Sequence, residues 1–381
     1  MKSWHRALLA VVLVLSAGIA SAHKQSDSYL RLAVADHGTV VDGQWDIAIR
    51  DLDFAIGLDA NHDGAITWGE LRVAEARIAD YAFEHLSVEA IGQGDRAICP
   101  ARLTQFLVDE HVDGRYAVLR FAADCGLKPV ELNVRYSLLF EVDPTHRGLL
   151  EVSGGGHEQA EVLSRDTPRV TVNAGSPDRG QQFRSFVSEG IWHILKGYDH
   201  ILFLLTLLFP AVVLYGTGGW LPRTSLRASA LDVLKVVTAF TLAHSLTLSL
   251  AVLDVVHLPS RWVECGIALT VLLGALNNLK PVIVEKRWAV AFVFGLVHGF
   301  GFAAILADLG LRGVDLALSL VGFNMGVEIG QLGIVAAVLP VAFMLRQTRA
   351  YRQAFMPAGA CAIALVAAYW LLIRLTTNNL G

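Results

Sequence analysis

The stretch His193-Ile-Leu-Lys-Gly-Tyr-Asp199-His200 (residues 193–200) stands at the start of a long apolar run. Ionisable groups are costly inside a membrane, so two imidazoles and a carboxylate placed there are usually functional or tightly paired. On one continuous helix, His193 and His200 would be about two turns apart and would project from the same face, with Asp199 about a third of a turn away. Imidazole and carboxylate ligands together suit a divalent transition metal. The alternative is the start of a helix at the membrane interface, where these groups cost little.

The apolar character of the chain is concentrated in its second half. The sequence has 381 residues, of which 54% are hydrophobic and 17% are charged, whereas about 25% are charged in ordinary soluble domains. Residues 23–185 have the composition of a soluble domain, and residues 186–375 hold nearly all the long apolar runs. The net charge of −4 gives no reason to expect nucleic acid as a partner.

Six apolar segments are long enough to cross a hydrocarbon core of about 30 Å. They lie at about 190–214, 231–253, 262–279, 288–308, 316–343 and 354–375. Residues 188–381 are therefore predicted to form a polytopic α-helical membrane bundle of six spans. This bundle is expected to be embedded in the lipid bilayer of the bacterial inner membrane.

Positive residues follow the first, third and fifth segments, and such residues mark cytoplasmic loops. They are Arg223, Arg227, Lys280, Lys286, Arg287, Arg346, Arg349 and Arg352. The loops on the other side hold only Arg261, Arg312 and the terminal Arg374. The residues before the first span are therefore predicted to be extracytoplasmic.

Residues 1–22 have the pattern of a signal peptide, which agrees with this orientation. Lys2 and Arg6 precede a short apolar run, and the small residues Ala20-Ser-Ala22 follow it. An uncleaved anchor is the alternative. Cleavage would leave His23 at the N-terminus, where an imidazole and a free amine together can chelate copper, although a solvated terminus is the default expectation.

Residues 23–173 are predicted to form an antiparallel β-sandwich-like domain, because short β-rich segments alternate with turns. The segments are Ser28–Ala35, Gln44–Arg50, Ala101–Val108, Tyr116–Ala123, Glu131–Phe140 and Arg169–Asn173. Residues 174–187 lack periodicity and are predicted to be a linker. An oxidising compartment would permit a disulfide between Cys99 and Cys125, whereas Cys265 and Cys361 are interpreted as small apolar fillers.

An EF-hand is predicted to be inserted in this domain at about residues 51–86, with its calcium loop at Asp59–Glu70. Side-chain oxygen ligands occupy loop positions 1, 3, 5, 9 and 12, namely Asp59, Asn61, Asp63, Thr67 and Glu70. Gly64 allows the sharp turn, Ala65 offers its carbonyl oxygen, and Ile66 can pack inward. An Asp/Asn-rich turn that matches by chance is the alternative. A single extracytoplasmic hand is expected to bind Ca²⁺ with Kd of about 10⁻⁴–10⁻³ M.

Further polar residues lie at similar depths in other predicted spans. His244 lies in the second span, His298 in the fourth, and Asn324, Glu328 and Gln331 in the fifth at i, i+4 and i+7. Because exposure of these groups to lipid is costly, they are expected to face the interior of the bundle. Simple helix-to-helix hydrogen bonding is the alternative for each of them.

The pattern His193-x5-Asp199-His200 resembles the signature of the HupE/UreJ family of membrane proteins, which are associated with hydrogenase and urease maturation. The segments His298-Gly-Phe-Gly-Phe and Phe323-Asn-Met-Gly-Val-Glu-Ile-Gly-Gln are similar to later motifs of that family. The resemblance covers about residues 188–375. It implies a nickel or cobalt permease, with maturation proteins as partners.

The same resemblance assigns metal recognition to His193, Asp199 and His200, and it adds His298, Asn324 and Glu328. Two features depart from the family pattern. Ile194 stands where nickel-permease relatives often have proline, and simple permeases lack the exported EF-hand domain.

Three functions follow as hypotheses. The first is a permease for a divalent transition metal (Ni²⁺, Co²⁺ or Zn²⁺), which His193, Asp199 and His200 would capture and His244, His298 and Glu328 would pass inward. The second is an intramembrane zinc-dependent hydrolase, because histidines and an acid can hold zinc and activate water. The third is a non-catalytic accessory or assembly protein.

Overall fold

The structure is a computed structural model that describes residues 26–35, 38–111, 114–155, 157–174, 178–216, 219–303, 306, 311 and 313–376. The signal peptide predicted at residues 1–22 and the copper site considered at His23 lie outside these residues. The chain divides into two compact units. One comprises His23–Phe186 and Ala304–Gly322, and the other comprises Val187–Ala303 and Phe323–Asn378.

The first unit contains a six-stranded and a four-stranded sheet. The strands are β1 Asp27–Val34, β2 Val40–Ala48, β3 Leu86–Ile91, β4 Arg96–Cys99, β5 Ala101–His111, β6 Gly114–Asp124, β7 Glu131–Tyr136, β8 Arg147–Gly154, β9 His157–Ser164 and β10 Arg169–Asn173. The strand orders are β5-β6-β2-β1-β8-β9 and β10-β7-β3-β4. One apolar core contains side chains from both sheets, among them the fully buried Trp45, Phe121 and Tyr136.

The β-rich character predicted for this region is confirmed, but parts of the strand pattern are not. β1 pairs with β8 in parallel, with Leu30 opposite Leu150, so the larger sheet is mixed and not purely antiparallel. An alternating apolar pattern is the same for either direction of pairing, which explains why the sequence did not reveal it. The prediction also missed β3, β4, β8 and β9.

Two helices interrupt the strands where the EF-hand is predicted. α1 (Ile49–Ile56) begins directly after β2, which shortens the strand predicted at Gln44–Arg50, and α2 (Trp68–Glu84) follows the loop. Thr67 and Glu70 form a capping box at the start of α2: the Thr67 hydroxyl accepts from the Glu70 N–H, and the Glu70 carboxylate accepts from the Thr67 N–H. A helix–loop–helix unit therefore surrounds residues 57–67.

A disulfide joins Cys99, at the end of β4, to Cys125, which follows β6. Because β4 belongs to the smaller sheet and β6 to the larger one, the bond links the two sheets covalently. The other two cysteines carry free thiols, and Cys265 is buried whereas Cys361 is exposed.

A chain of hydrogen bonds passes through the core of this unit. The Tyr136 hydroxyl lies 2.7 Å from Ser28 Oγ and 2.5 Å from His146 Nε2. On the other side of the imidazole ring, His146 Nδ1 lies 2.5 Å from Ser26 Oγ, which donates to Asp51 of α1. Since Ser26 gives its proton to Asp51, His146 donates from Nδ1 and accepts at Nε2, which is the neutral form of the ring.

The stability of this unit is expected to fall as the pH decreases from 6.5 to 4. Burial lowers the pKa of His146 from 6.5 to about 4, so the folded state resists a proton that the unfolded chain accepts. The full pKa difference corresponds to about 3 kcal/mol. Melting temperatures between pH 7.5 and pH 4 should fall less steeply for His146→Gln than for wild type, and the exposed His157→Gln is the control. Equal slopes for all three proteins would contradict this assignment.

The second unit is formed mainly by apolar helices. The helices that lie wholly or partly in it are α3 Arg179–Lys196, α4 Tyr198–Leu208, α5 Leu226–Val252, α6 Ser260–Leu279, α7 Arg287–His298, α8 Gly313–Leu345 and α9 Met356–Thr376. A 3₁₀ turn, Phe209–Val212, continues α4, and a short hairpin of β11 (Val213–Gly216) and β12 (Gly219–Pro222) follows it. The linker predicted at residues 174–187 is helical from Arg179 onward.

Four helical segments among the described residues are long and apolar enough to cross a membrane: Leu226–Val252, Ser260–Leu279, Gly313–Leu345 and Tyr351–Thr376. The pair Arg179–Lys196 and Tyr198–Val212, which is bent by 70°, adds a fifth if it is counted as one span. The fourth segment of the sequence prediction, 288–308, corresponds to a shorter apolar helix, Arg287–Phe302. The described residues thus contain four to five helices that could span a membrane, where the sequence predicted six.

Candidate metal centre

The helix that carries the opening motif is broken inside the motif. α3 ends at Lys196, α4 begins at Tyr198, and their axes differ by 70°. The expectation that His193 and His200 project from one face of a continuous helix is therefore wrong. The break nevertheless brings the two rings together, with their centroids 4.7 Å apart.

Gly197 occupies the break because any side chain there would collide with the motif itself. A Cβ atom at this position would lie 2.6 Å from the His193 carbonyl oxygen, 2.9 Å from His200 Nδ1 and 3.1 Å from Asp199 Oδ1. The glycine thus lets the two histidines and the carboxylate approach one another across the bend.

Three buried imidazoles in the centre each use one ring nitrogen to contact a neighbouring side chain. His200 Nδ1 lies 3.1 Å from Asp199 Oδ1, and His244 Nδ1 lies 3.3 Å from Asn324 Oδ1. His298 Nε2 lies 2.9 Å from Thr270 Oγ1. The second nitrogen of each ring is buried and makes no hydrogen bond to the described residues: His200 Nε2, His244 Nε2 and His298 Nδ1.

The partners of these rings assign the protons. The carboxylate of Asp199 and the amide oxygen of Asn324 are acceptors, so the histidine nitrogens facing them donate. The Thr270 hydroxyl gives its own proton to the Ile267 carbonyl oxygen at 2.6 Å, so it accepts from His298. Each ring is therefore held in one tautomer, and its other nitrogen presents a lone pair. Histidine ligands of metals are usually held in this way.

The ligand atoms form two groups that could hold an ion. One atom from each of His193, His200 and His244 lies within 4.8 Å of the others, and the same holds for Asp199, His200 and His298. Metal–nitrogen bonds are about 2.0–2.1 Å long, so the ligand atoms of a shared ion lie closer together than this limit. Small movements of the side chains would therefore be enough for them to bind an ion. Neither group contains a sulfur ligand. Nitrogen and carboxylate ligands fit a divalent transition metal that is intermediate between hard and soft.

Aromatic rings pack around these ligands, and sequence analysis did not identify them. The His193 ring lies 4.9 Å from Phe302 and 5.3 Å from Phe323, and the His298 ring lies 5.3 Å from Phe203 and 5.2 Å from Phe240. Phe302 and Phe323 belong to the two later family motifs, so these motifs could have indicated that the two rings lie near the ligands. Thr270 was also missed, and no pattern in the sequence marked it.

The polar residues of α8 bond to α5 from one face, as their spacing predicted. In addition to the Asn324–His244 contact, Thr238 donates to Glu328 Oε1 at 3.1 Å and Thr241 donates to Gln331 Oε1 at 3.1 Å. Glu328 belongs to neither group of histidine and carboxylate ligands. Asn324 orients His244, and Glu328 lies one helical turn further along the α5–α8 contact.

The calcium loop predicted in the first unit has its acidic side chains turned inward. Asp59 accepts from the N–H groups of Asp63 and Gly64 at 3.3 and 2.9 Å, and Glu70 accepts from those of Ala60 and Thr67 at 3.1 and 2.9 Å. Hydrogen bonds from Thr67 lower the pKa of Glu70.

The remaining predicted positions lie in the same loop. Asn61 accepts from Asp63 N–H, and Asp63 accepts from Ala65 N–H, both at 2.8 Å. Gly64 has φ of +83° with nothing near its absent Cβ, so it supplies the left-handed turn that the loop pattern requires.

Comparison with known protein families agrees with these motifs. The family described as HupE / UreJ protein matches residues 168–374, which is more than half of the chain and includes every member of both ligand groups. A search of curated proteins found no match. On this match the chain belongs to the HupE/UreJ family.

Proposed function

We propose that this protein is a membrane permease for a divalent transition metal ion of the nickel and cobalt class. Family membership implies an accessory or transport role toward these metals. The observation that carries the proposal is the set of three buried imidazole lone pairs on His200, His244 and His298. Buried polar atoms without partners are rare in folded proteins, and an ion bound in either ligand group would be held by two of these three histidines.

The ion is the substrate, and the centre would take it from the extracytoplasmic side. Asp199 supplies negative charge, and the phenylalanine rings would separate the ion from bulk water. Thr241 and Thr238 continue the polar face of α5 beyond His244, and they bond to Gln331 and Glu328. α5 starts on the side predicted to be cytoplasmic, so this row of polar residues between α5 and α8 would lead from the centre toward the cytoplasm.

The proposed orientation is supported by the positive charges at one end of the second unit. Arg223 lies 2.9 Å and Arg287 3.5 Å from the carboxylate of Asp232, and Arg346 donates to the Arg223 carbonyl oxygen at 2.6 Å. Such a concentration of arginine is typical of the cytoplasmic side. We therefore propose that the protein lies in the bacterial inner membrane, with the β-rich unit in the periplasm and α7 as the shortest of six membrane segments.

Accumulation of radioactive nickel tests this function. Cells that lack their own nickel uptake should accumulate more of the ion when they express the chain than when they carry an empty vector. Purified protein in detergent should also bind Ni²⁺, and equilibrium dialysis measures this binding. Accumulation equal to the empty vector, together with absence of binding, would refute the proposal.

The alternatives gain less support. An intramembrane hydrolase would use Ser245 beside His244, but the Ser245 hydroxyl donates to the Thr241 carbonyl oxygen at 2.7 Å within its own helix. An accessory role in hydrogenase or urease maturation agrees with the family as well as transport does. Nickel accumulation by a chain that lacks residues 23–180 would argue against a purely accessory role, because the membrane part would then act alone.

We also propose that the loop at Asp59–Glu70 binds Ca²⁺, and Glu70→Gln tests it. The substitution keeps an oxygen that can cap α2 but removes the charge. At a Ca²⁺ concentration of about 100 Kd, binding should stabilise the wild-type fold by about 2.7 kcal/mol. The melting temperature should therefore rise with Ca²⁺ in wild type but much less in Glu70→Gln.

Glu75→Gln is the matched control for the calcium experiment. Glu75 lies on the same helix and pairs with Arg72 at 3.5 Å, outside the loop, so its variant should respond to Ca²⁺ as wild type does. A wild-type melting temperature that does not change with Ca²⁺ would contradict the site.

A further inference from the structure

We propose that the metal centre consists of two stations that share His200 and hold one ion at a time. This inference rests on the proposed function, because it concerns how the same residues bind their ion. The first station is His193, His200 and His244, and the second is Asp199, His200 and His298. His200 is the member common to both groups.

The two nitrogens of His200 face different partners. Nδ1 lies 3.1 Å from Asp199 Oδ1, so this edge of the ring belongs to the second station. Nε2 is on the opposite edge, is buried and makes no hydrogen bond to the described residues. We assign His200 Nε2 to the first station, together with the unprotonated Nε2 of His244.

The other ligands complete the two stations. The His193 ring lies 4.7 Å from the His200 ring, and the His298 ring lies 5.2 Å from it. The first station offers three imidazoles. The second offers two imidazoles and a carboxylate, which is harder and carries a charge. The ion would therefore experience two different ligand sets separated by a single ring.

Occupation of one station excludes occupation of the other. A neutral imidazole has one N–H and one lone pair, so His200 can bind an ion through only one nitrogen at a time. An ion that crosses from Nε2 to Nδ1 breaks one coordination bond and forms another, and the ring proton moves in the opposite direction, so no net proton is released. Coulomb repulsion between two dications about 6 Å apart also opposes double occupancy.

Co²⁺ binding to single and double variants tests the proposal. The purified full-length chain in detergent is compared with His244→Gln, His298→Gln and the double variant by equilibrium dialysis. Wild type should bind one Co²⁺. At least one single variant should keep Kd within about twofold of wild type, because one station remains intact, whereas the double variant should raise Kd by at least about 100-fold.

The two single variants should also differ in their visible Co²⁺ spectra, because the remaining ligand set contains a carboxylate only in His244→Gln. Asp199→Asn, which is nearly isosteric, should match His298→Gln in affinity and in spectrum. Two controls accompany them: His257→Gln, an exposed histidine that contacts Asp254, should leave binding unchanged, and elution volume and melting temperature identify variants that do not fold.

Several outcomes would overturn the two stations. If folded His244→Gln and His298→Gln each raise Kd by about tenfold or more, the ligands form one centre, and the permease proposal survives. Two Co²⁺ ions bound to wild type would overturn exclusive occupancy. If wild type binds neither Co²⁺ nor Ni²⁺, this inference fails together with the proposed function.

Discussion

Replacing His200 by alanine is expected to reduce nickel accumulation to that of cells without the protein. His200 belongs to both ligand groups, so its removal leaves neither of them complete. The loss of metal binding should be at least about 100-fold, which is the upper end of what removal of a group supporting a metal ligand costs. Radioactive nickel accumulation in cells and Ni²⁺ binding to purified protein measure the two effects.

His257→Ala is the matched control for this experiment. His257 lies in the same unit, but its exposed ring contacts Asp254 outside the centre. Its variant should accumulate nickel as wild type does, provided that both variants reach the membrane in equal amounts. Unchanged accumulation in His200→Ala would show that the ion does not pass through this centre.

Gly326→Val is expected to destabilise the membrane unit and to abolish nickel accumulation. α3 and α8 cross with their backbones in contact, and a Cβ at position 326 would collide with the Val187 carbonyl oxygen and lie 3.0 Å from Gly190 Cα. Backbone atoms cannot rotate away as a side chain can, so the helices must separate. We expect a loss of about 3 kcal/mol or more.

The same separation would disturb the centre, because His193 lies on α3 and Phe323 and Asn324 lie on α8. Gly333→Val is the control on the same helix, since no atom outside the local helix backbone lies within 4 Å of its absent Cβ and its cost should be limited to a few tenths of a kcal/mol. Melting temperatures of the purified variants and nickel accumulation provide the readouts. Similar losses in both variants would mean that the crossing at Gly326 is not a special constraint.

Features that depend on local spacing could be predicted from the sequence. The apolar lengths indicated a membrane part, and the motifs in three of its segments resembled the HupE/UreJ family, which is confirmed. The positions of Asn324, Glu328 and Gln331 on one helix face also follow from spacing, because a regular helix repeats every 3.6 residues.

Features that depend on contacts between distant residues could not be predicted. The parallel pairing of β1 with β8 joins residues about 120 positions apart, and local alternation carries no information on it. The break at Gly197 was also missed, although the groups that crowd this glycine lie within four residues of it in the chain. The sequence shows a glycine, which some helices tolerate, but only the crowding of His193, Asp199 and His200 around it shows that the chain bends there.

The sequence by itself determined which chemical groups this protein brings to the membrane: imidazoles, one carboxylate at the motif, and apolar rings in the neighbouring segments. The tertiary structure decided what each group does. Contacts from Asp199, Asn324 and Thr270 hold the rings of His200, His244 and His298 in one tautomer each. Two of these contacts join residues 80 and 28 positions apart in the chain, so the lone pairs of His244 and His298 are given their directions only once the helices have packed.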